Sequence, residues 1–342
     1  MTPSRDEPLV ALRYDDGALW AVDQRALPFD ELELELRTAE EVAEAIRTLA
    51  IRGAPLIGVA AAYGIALELA RDGSPGTLER ACRLLAGARP TAVNLGWAVA
   101  RVQAAAQGAA PGGAGQAALA EAQAIHGQEE RASRAIAGAG ADLLGQPRVV
   151  LTHCNTGALA APGRGTALAV VAELFDRGHL KSVIVTETRP LLQGARLTTY
   201  ELGRLGIPHE LVVDGAAPGL MAAGEVDAAV VGCDRVAANG DVANKVGTYS
   251  LALAARAAEI PFVVAGPVST IDAGCRSGKE IVIEARTPEE VSHAGGTRLA
   301  PPGTACRNPA FDVTPAELIT ALATDRGTAQ PVDADSVRGL LA

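Results

Sequence analysis

The stretch Asp227-Ala-Ala-Val-Val-Gly-Cys-Asp-Arg-Val-Ala-Ala-Asn-Gly-Asp-Val-Ala-Asn-Lys-Val-Gly247 decides how this chain folds. Its opening residues read as a short buried strand, and Thr248-Tyr-Ser-Leu-Ala-Leu-Ala-Ala-Arg-Ala-Ala-Glu259, directly after it, has helical spacing. Between them, residues 232–247 read as a small-residue turn that gathers the carboxylates of Asp234 and Asp241, the cations Arg235 and Lys245, and the amides Asn239 and Asn244. Such a turn lies at the carboxyl end of a strand, where open α/β sheets bind ligands. The mixture of charges suits chemistry on a phosphorylated substrate.

Working outward, Arg148-Val-Val-Leu-Thr-His153, Lys181-Ser-Val-Ile-Val-Thr186, His209-Glu-Leu-Val-Val-Asp214 and Pro261-Phe-Val-Val-Ala265 are further β-rich runs, alternating with helical ones. That rhythm predicts an α/β fold with a Rossmann-like, mostly parallel sheet covered by helices, over residues 145–342. Residues 1–144 read as a smaller, mainly helical domain carrying a short hairpin that turns at Asp15-Asp16-Gly17. Thr38 and Glu41 form a capping-box pattern at a helix start. Residues 104–120, with Gly108, Pro111, Gly112, Gly113 and Gly115, read as a loop, and the last helix is expected near Thr314-Pro315-Ala-Glu317. No internal repeat is visible.

With 342 residues, 49% of them hydrophobic, the chain can bury a substantial core. Its 30 Lys and Arg against 40 Asp and Glu give a net charge of −10, a poor match to nucleic acid. The longest apolar stretch, residues 56–70, carries Tyr63 and Glu68 and is short for a bilayer, and residues 1–8 lack an apolar signal region, so a cytoplasmic protein is expected. Five cysteines without a Cys-x-x-Cys pair indicate reduced thiols, not a disulfide framework or a zinc site.

Parallel sheets bring strand ends together, and here the ends are polar: Thr152-His-Cys-Asn-Thr-Gly157, Thr186-Glu-Thr-Arg-Pro190 and residues 232–247. Cys154 is either a thiol activated by the amides of its turn or a buried small hydrophobe. Asp234 is either a partly buried acid that keeps its proton or a structural carboxylate paired with Arg235. Arg52-Gly-Ala-Pro and Arg89-Pro-Thr-Ala-Val-Asn94 each set an arginine before a helix, so guanidinium and helix amino terminus can meet one anion, with Lys245 adding a point charge. Each of these cations alone reads equally as a solvated surface charge. Gln193, before Gly194, either binds a sugar or phosphate oxygen or belongs to a loop tied by Glu187, Arg189 and Arg196. His153 alternates away from Cys154 along its strand and receives no catalytic role.

Together, Arg52-Gly-Ala-Pro, Arg89-Pro-Thr-Ala-Val-Asn, Cys154-Asn-Thr-Gly, Glu187-Thr-Arg-Pro with Gln193-Gly-Ala-Arg, Asp234-Arg-Val-Ala-Ala-Asn-Gly-Asp, Asn244-Lys and Asn308-Pro-Ala-Phe-Asp-Val-Thr-Pro315 resemble the methylthioribose-1-phosphate isomerase family. The resemblance runs from Asp23-Gln24 to Asp325-Arg-Gly327. It implies conversion of 5-methylthioribose 1-phosphate to 5-methylthioribulose 1-phosphate in methionine salvage, no metal or organic cofactor, and a homodimer. It also implies a catalytic pair of Cys154 and Asp234, with substrate held by Arg52, Gly53, Ala54, Arg89, Gln193, Asn244 and Lys245. Related folds include ribose-1,5-bisphosphate isomerases and the regulatory subunits of a translation-initiation exchange factor. Turnover of a related ribose 1-phosphate, or a non-catalytic regulatory role, is therefore the alternative. Cys233 departs from the family, which has a small apolar residue before the aspartate, and the loop 272–307 matches less sharply.

Overall fold

A computed structural model describes residues 9–89 and 92–342, and the expectation for residues 1–8 lies outside the described residues. The chain divides into two compact units, Met1–Arg134 with Thr156–Gly165, and Ala135–Asn155 with Thr166–Ala342. In the first unit, strands β1 (Leu12–Asp15), β2 (Ala18–Val22) and β3 (Glu33–Leu36) form an antiparallel sheet. The hairpin turns where expected, at Asp16 and Gly17, both with positive φ (46° and 69°), which matches the twist of the flanking strands. The capping box forms too: Thr38 Oγ1 accepts from Glu41 N, and Glu41 reaches back to the Thr38 amide, starting α1 (Ala39–Arg47).

Helix α2 (Ala54–Arg71) is apolar nearly all round and mostly buried, a core helix. Helices α3 (Pro75–Ala86), α4 (Val93–Gln107) and α5 (Ala114–Leu144) follow. The loop expected over 104–120 is shorter than its composition suggested, because α4 and α5 take most of it. Alanine is the best helix former, and Gly115 serves packing instead of breaking the helix: a Cβ there would lie 2.8 Å from the Leu69 carbonyl oxygen.

In the second unit, the elements are β4 (Val149–Thr152), α6 (Ala167–Asp176), β5 (Ser182–Thr186), α7 (Thr199–Arg204), β6 (His209–Val212), α8 (Ala217–Ala222), β7 (Ala228–Val231), β8 (Arg235–Ala237), β9 (Val242–Lys245), α9 (Thr248–Ala257), β10 (Phe262–Ala265) and β11 (Ile271–Asp272). Then come α10 (Pro288–Ser292), a small hairpin of β12 (His293–Ala294) and β13 (Thr297–Arg298), β14 (Phe311–Thr314), β15 (Ala321–Thr324), β16 (Gly327–Ala329) and α11 (Ala334–Leu341). Seven strands build the main sheet in the order β16-β15-β10-β7-β4-β5-β6, parallel except for the β16 edge. All five runs read from sequence are in it. Leu151, Val231, Phe262, Val264 and Leu322 pack its core.

Two expectations fail in this unit. Residues 232–247 are not one turn but a hairpin, β8 and β9, in a second sheet ordered β11-β8-β9-β14. Val236 and Val242 pair across it, and the chain reverses at Gly240 with φ 89°. Thr314-Pro315 opens only a short 3-10 turn, Ala316–Leu318, and the last helix is α11, started by a capping box of Asp333 and Ser336. The turn stops because the chain must extend at once into β15.

Candidate active site

In the main sheet the chain lays β4, β5 and β6 outward in one direction, then returns so that β7 pairs with the other edge of β4. The topological switch therefore falls between β4 and β7, and the crevice beyond their carboxyl ends is where such sheets bind ligands. Cys154 follows β4, Asp234 follows β7, and Gln193 follows β5 on the other side of β4. Neighbouring parallel strands run roughly 4.8 Å apart. Residues separated widely in sequence thus leave adjacent strand ends.

Cys154 has φ 67°, a left-handed conformation that costs a non-glycine residue about 1–2 kcal/mol and persists only where its surroundings fix it. They do so at three atoms. Its amide donates to Thr188 Oγ1 at 2.9 Å, its carbonyl accepts from Thr198 Oγ1 at 2.6 Å, and its sulfur accepts from Gln193 Nε2 at 3.3 Å. The thiol is buried, as the bland alternative requires, but its partners are polar. No helix begins at this turn, since α6 starts only at Ala167. Next to it, Asn155 Nδ2 donates to the buried carboxylate of Glu201 at 2.6 Å.

Gln193 is placed by a strained loop in which Thr188 (φ 62°) and Leu192 (φ 57°) are left-handed. The carboxylate of Asp214 accepts from the amides of Thr188 and Arg189 at 2.7 and 2.8 Å. Arg189 donates to the carbonyls of Pro190, Glu290, Val291 and His293. Backbone carbonyls are the described partners of Arg189 in this segment. Gly194 then passes against the end of β5, where a Cβ would lie 1.9 Å from the Thr186 carbonyl oxygen. Gln193 Oε1 is buried and has no partner among the described residues, which leaves an acceptor for a ligand hydroxyl.

Asp234 is half-buried, and its amide donates to Ala243 O at 2.9 Å, so the β8–β9 hairpin sets its position. Arg235 pairs with Asp272 at 3.5 Å. Burial pushes the Cys233 thiol up to about 12, against a hydrogen bond with Thr270. It therefore stays protonated and adds no thiolate beside the acid. Asp241, the other carboxylate of the motif, is structural: it accepts from Asn239, Gly278 N and Ala316 N at 2.9–3.0 Å. Burial opposes its ionisation, but these donors hold its pKa below the ordinary value.

Asn244 Nδ2 donates to Thr248 Oγ1, and Lys245 Nζ donates to Ala310 O at 2.8 Å and lies 4.7 Å from the centre of the Phe311 ring. Strand β14 pairs with β9, setting Phe311 opposite Lys245 and Asp312 opposite Asn244. The Asp312 carboxylate accepts from Gly247 N at 2.7 Å and Tyr249 N at 3.1 Å, closing the amino end of α9. Sequence reasoning quoted this segment only as part of a resemblance and gave Asp312, Thr188 and Thr198 no function. Burial raises the Asp312 pKa to about 6, even though the two amides and Lys245 pull it down. The folded protein thus binds this proton more tightly than the unfolded chain does. Its contribution to stability is full below the ordinary value near 3.8 and is lost as pH rises through about 6. Carbon-13 titration of the Asp312 carboxyl is expected to show a midpoint near 6, and one near 4 would contradict this reading.

The remaining predicted ligands lie in the first unit. Gly53, with φ 97°, caps α2, and Ala54 is its first residue; a Cβ on Gly53 would come within 2.3 Å of the Ala160 carbonyl oxygen. Arg52 precedes this cap and Arg89 precedes α4, while Pro90 and Thr91 lie outside the described residues. Neither helix start has a side-chain cap. In α2, however, Pro55 has no N–H and the Leu56 amide already donates to Ala160 O at 3.1 Å, so this start offers an anion fewer amides than the motif suggested.

A family model described as the Initiation factor 2 subunit family matches residues 50–331. The chain is 52% identical over 339 residues to a methylthioribose-1-phosphate isomerase of Syntrophotalea carbinolica, covering 96% of this chain and 97% of that relative. It is 47% identical over 345 residues to a 5-deoxyribose 1-phosphate isomerase of Moorella thermoacetica, covering 98% of each. Among solved structures, the 5-methylthioribose 1-phosphate isomerase of Pyrococcus horikoshii OT3 superposes with a TM-score of 0.91 at 40% identity, over 100% of this chain and 98% of that one.

Proposed function

The chain belongs to the Initiation factor 2 subunit family and, within it, to the methylthioribose-1-phosphate isomerases, and from that premise we propose how its residues act. It is an aldose–ketose isomerase that converts 5-methylthioribose 1-phosphate to 5-methylthioribulose 1-phosphate. The anomeric oxygen of this substrate carries phosphate, so its ring cannot open to a free aldehyde. Acid help at the ring oxygen is needed.

In this reading, protonated Asp234 gives its proton to the ring oxygen as the C1–O bond breaks, leaving a cationic centre at C1. The Cys154 thiolate takes the C2 proton, and the C2–H electron pair forms the C1–C2 double bond of an enol phosphate. Return of that proton from the Cys154 thiol to C1, with loss of the O2 hydroxyl proton to the Asp234 carboxylate, yields the ketose. A hydride shift from C2 to C1 would reach the same product. Arg52, Gly53, Ala54, Arg89, Gln193, Asn244 and Lys245 are the proposed ligands of the phosphate and sugar, with the arginines and Lys245 supplying positive charge for the phosphate. The observation that carries the assignment is the placement of Cys154 and Asp234 just past the ends of the two strands that flank the switch point. A homodimer and a cytoplasmic location belong to the same proposal, the first supported by the resemblance and the second by five free thiols.

The Moorella relative favours a second reading, in which the 5-deoxy sugar is the substrate. Purified protein should be assayed against the 5-methylthio, 5-deoxy and 5-phospho forms of ribose 1-phosphate. The highest kcat/KM is expected for the methylthio form. Turnover of the 5-deoxy sugar alone would move the assignment, and no turnover of any would point to a regulatory module.

A further inference from the structure

Directly before Cys154, His153 is only 1% exposed, and the proposed reaction does not use it. Its Nε2 lies 2.9 Å from the Val246 carbonyl oxygen, which can only accept, so this nitrogen carries the hydrogen. The Nδ1 lone pair then receives the Thr186 hydroxyl at 2.6 Å. Burial lowers the pKa of the ring, outweighing the Val246 contact and the charge of Asp214, and Lys245 adds to the lowering. The imidazole is neutral, and both of its nitrogens are engaged by the scaffold.

These contacts connect the two arms of the site. Thr186 Oγ1 is 3.3 Å from Thr188 Oγ1, the atom that accepts from the Cys154 amide. On the other side, Val246 follows Lys245, and Gly247 presses on the imidazole so closely that a Cβ there would lie 3.0 Å from two of its atoms. We propose that His153 is a positioning residue for the isomerase reaction, holding the thiol of Cys154 at a fixed offset from Asn244 and Lys245 through Val246 O and the Thr186–Thr188 hydroxyl pair. It carries no proton to substrate, because both of its nitrogens are bonded to the scaffold.

The inference rests on the isomerase reading, so its test includes a readout that needs no substrate. In the full-length protein, His153→Phe keeps a ring but loses both hydrogen bonds, and Thr186→Val keeps the shape of the threonine but loses the hydroxyl. Each variant should be examined for the alkylation rate of Cys154 by iodoacetamide, followed by peptide mass spectrometry, and for KM and kcat. His153→Phe is expected to change the alkylation rate and KM by about tenfold, the order for two buried hydrogen bonds. Thr186→Val should move both the same way by less, and the double variant should be no worse than His153→Phe alone. Values within twofold of wild type in a folded His153→Phe protein would overturn the proposal, as would a lost limb of the kcat–pH profile with Cys154 alkylation unchanged. If His153→Phe does not fold, Thr186→Val decides by the same two readouts. Absence of turnover in the wild type would sink the isomerase reading, while the alkylation rates still judge the positioning role.

Discussion

Cys154→Ala and Asp234→Asn are each expected to lower kcat by about a hundred- to ten-thousand-fold while KM changes only a few-fold. Removal of a general acid or base has that order of effect, and neither group is assigned a share of ground-state binding. Cys154→Ala also deletes the acceptor of Gln193 Nε2, yet leaves the Thr188 and Thr198 contacts to its backbone intact. The fold around β4 should persist. Steady-state kinetics on purified variants, with deuterium incorporation at C1 followed in wild type, check both points. Near-native turnover in either variant removes that residue from the mechanism, and solvent deuterium in the product supports the enol route over the hydride shift.

The second large effect needs no change to a reacting group. Gly194→Ala puts a methyl group where the Thr186 carbonyl oxygen would be 1.9 Å away and the Thr188 hydroxyl 2.8 Å away. Thr186 ends β5 and is fully buried, so the strand cannot yield. The loop must retreat instead, and with it Gln193 leaves the sulfur. Overpacking of this kind costs roughly 1–3 kcal/mol or more, and kcat/KM should fall by at least about tenfold through the displaced glutamine. Denaturant melts read the first quantity and initial rates the second. Wild-type values for both would show that the loop relaxes freely.

How much of this was legible depended on how local the cause was. The five central strands were readable because parallel strands buried on both faces are unbroken apolar runs, as in Ala228-Ala-Val-Val231. β15, Ala-Leu-Ala-Thr, has no strand signature of its own and is a strand because β10 pairs with it. The β8–β9 hairpin was hidden for a related reason. Its residues are small, and its partner β14 arrives some 65 positions later, as Asp312 holding Gly247 illustrates. Cys154, Asp234 and Gln193 could be named as candidates because strand ends carry polar residues, and the motif resemblance, not the strand ends, chose between their functional and structural readings. Thr188, Thr198, Asp312 and His153 could not be given roles, since hydroxyls and carboxylates bound to backbone look the same in a sequence whatever loop they hold.

The sheet order carries one more consequence, for the chain as it is made. Its leading half, β4 to β6, ends with an open flank on β4 that only the later β7 can occupy. During synthesis Cys154 therefore emerges long before Asp234. On the proposed mechanism a growing polypeptide holds the sulfur without the acid until β7 has docked against β4.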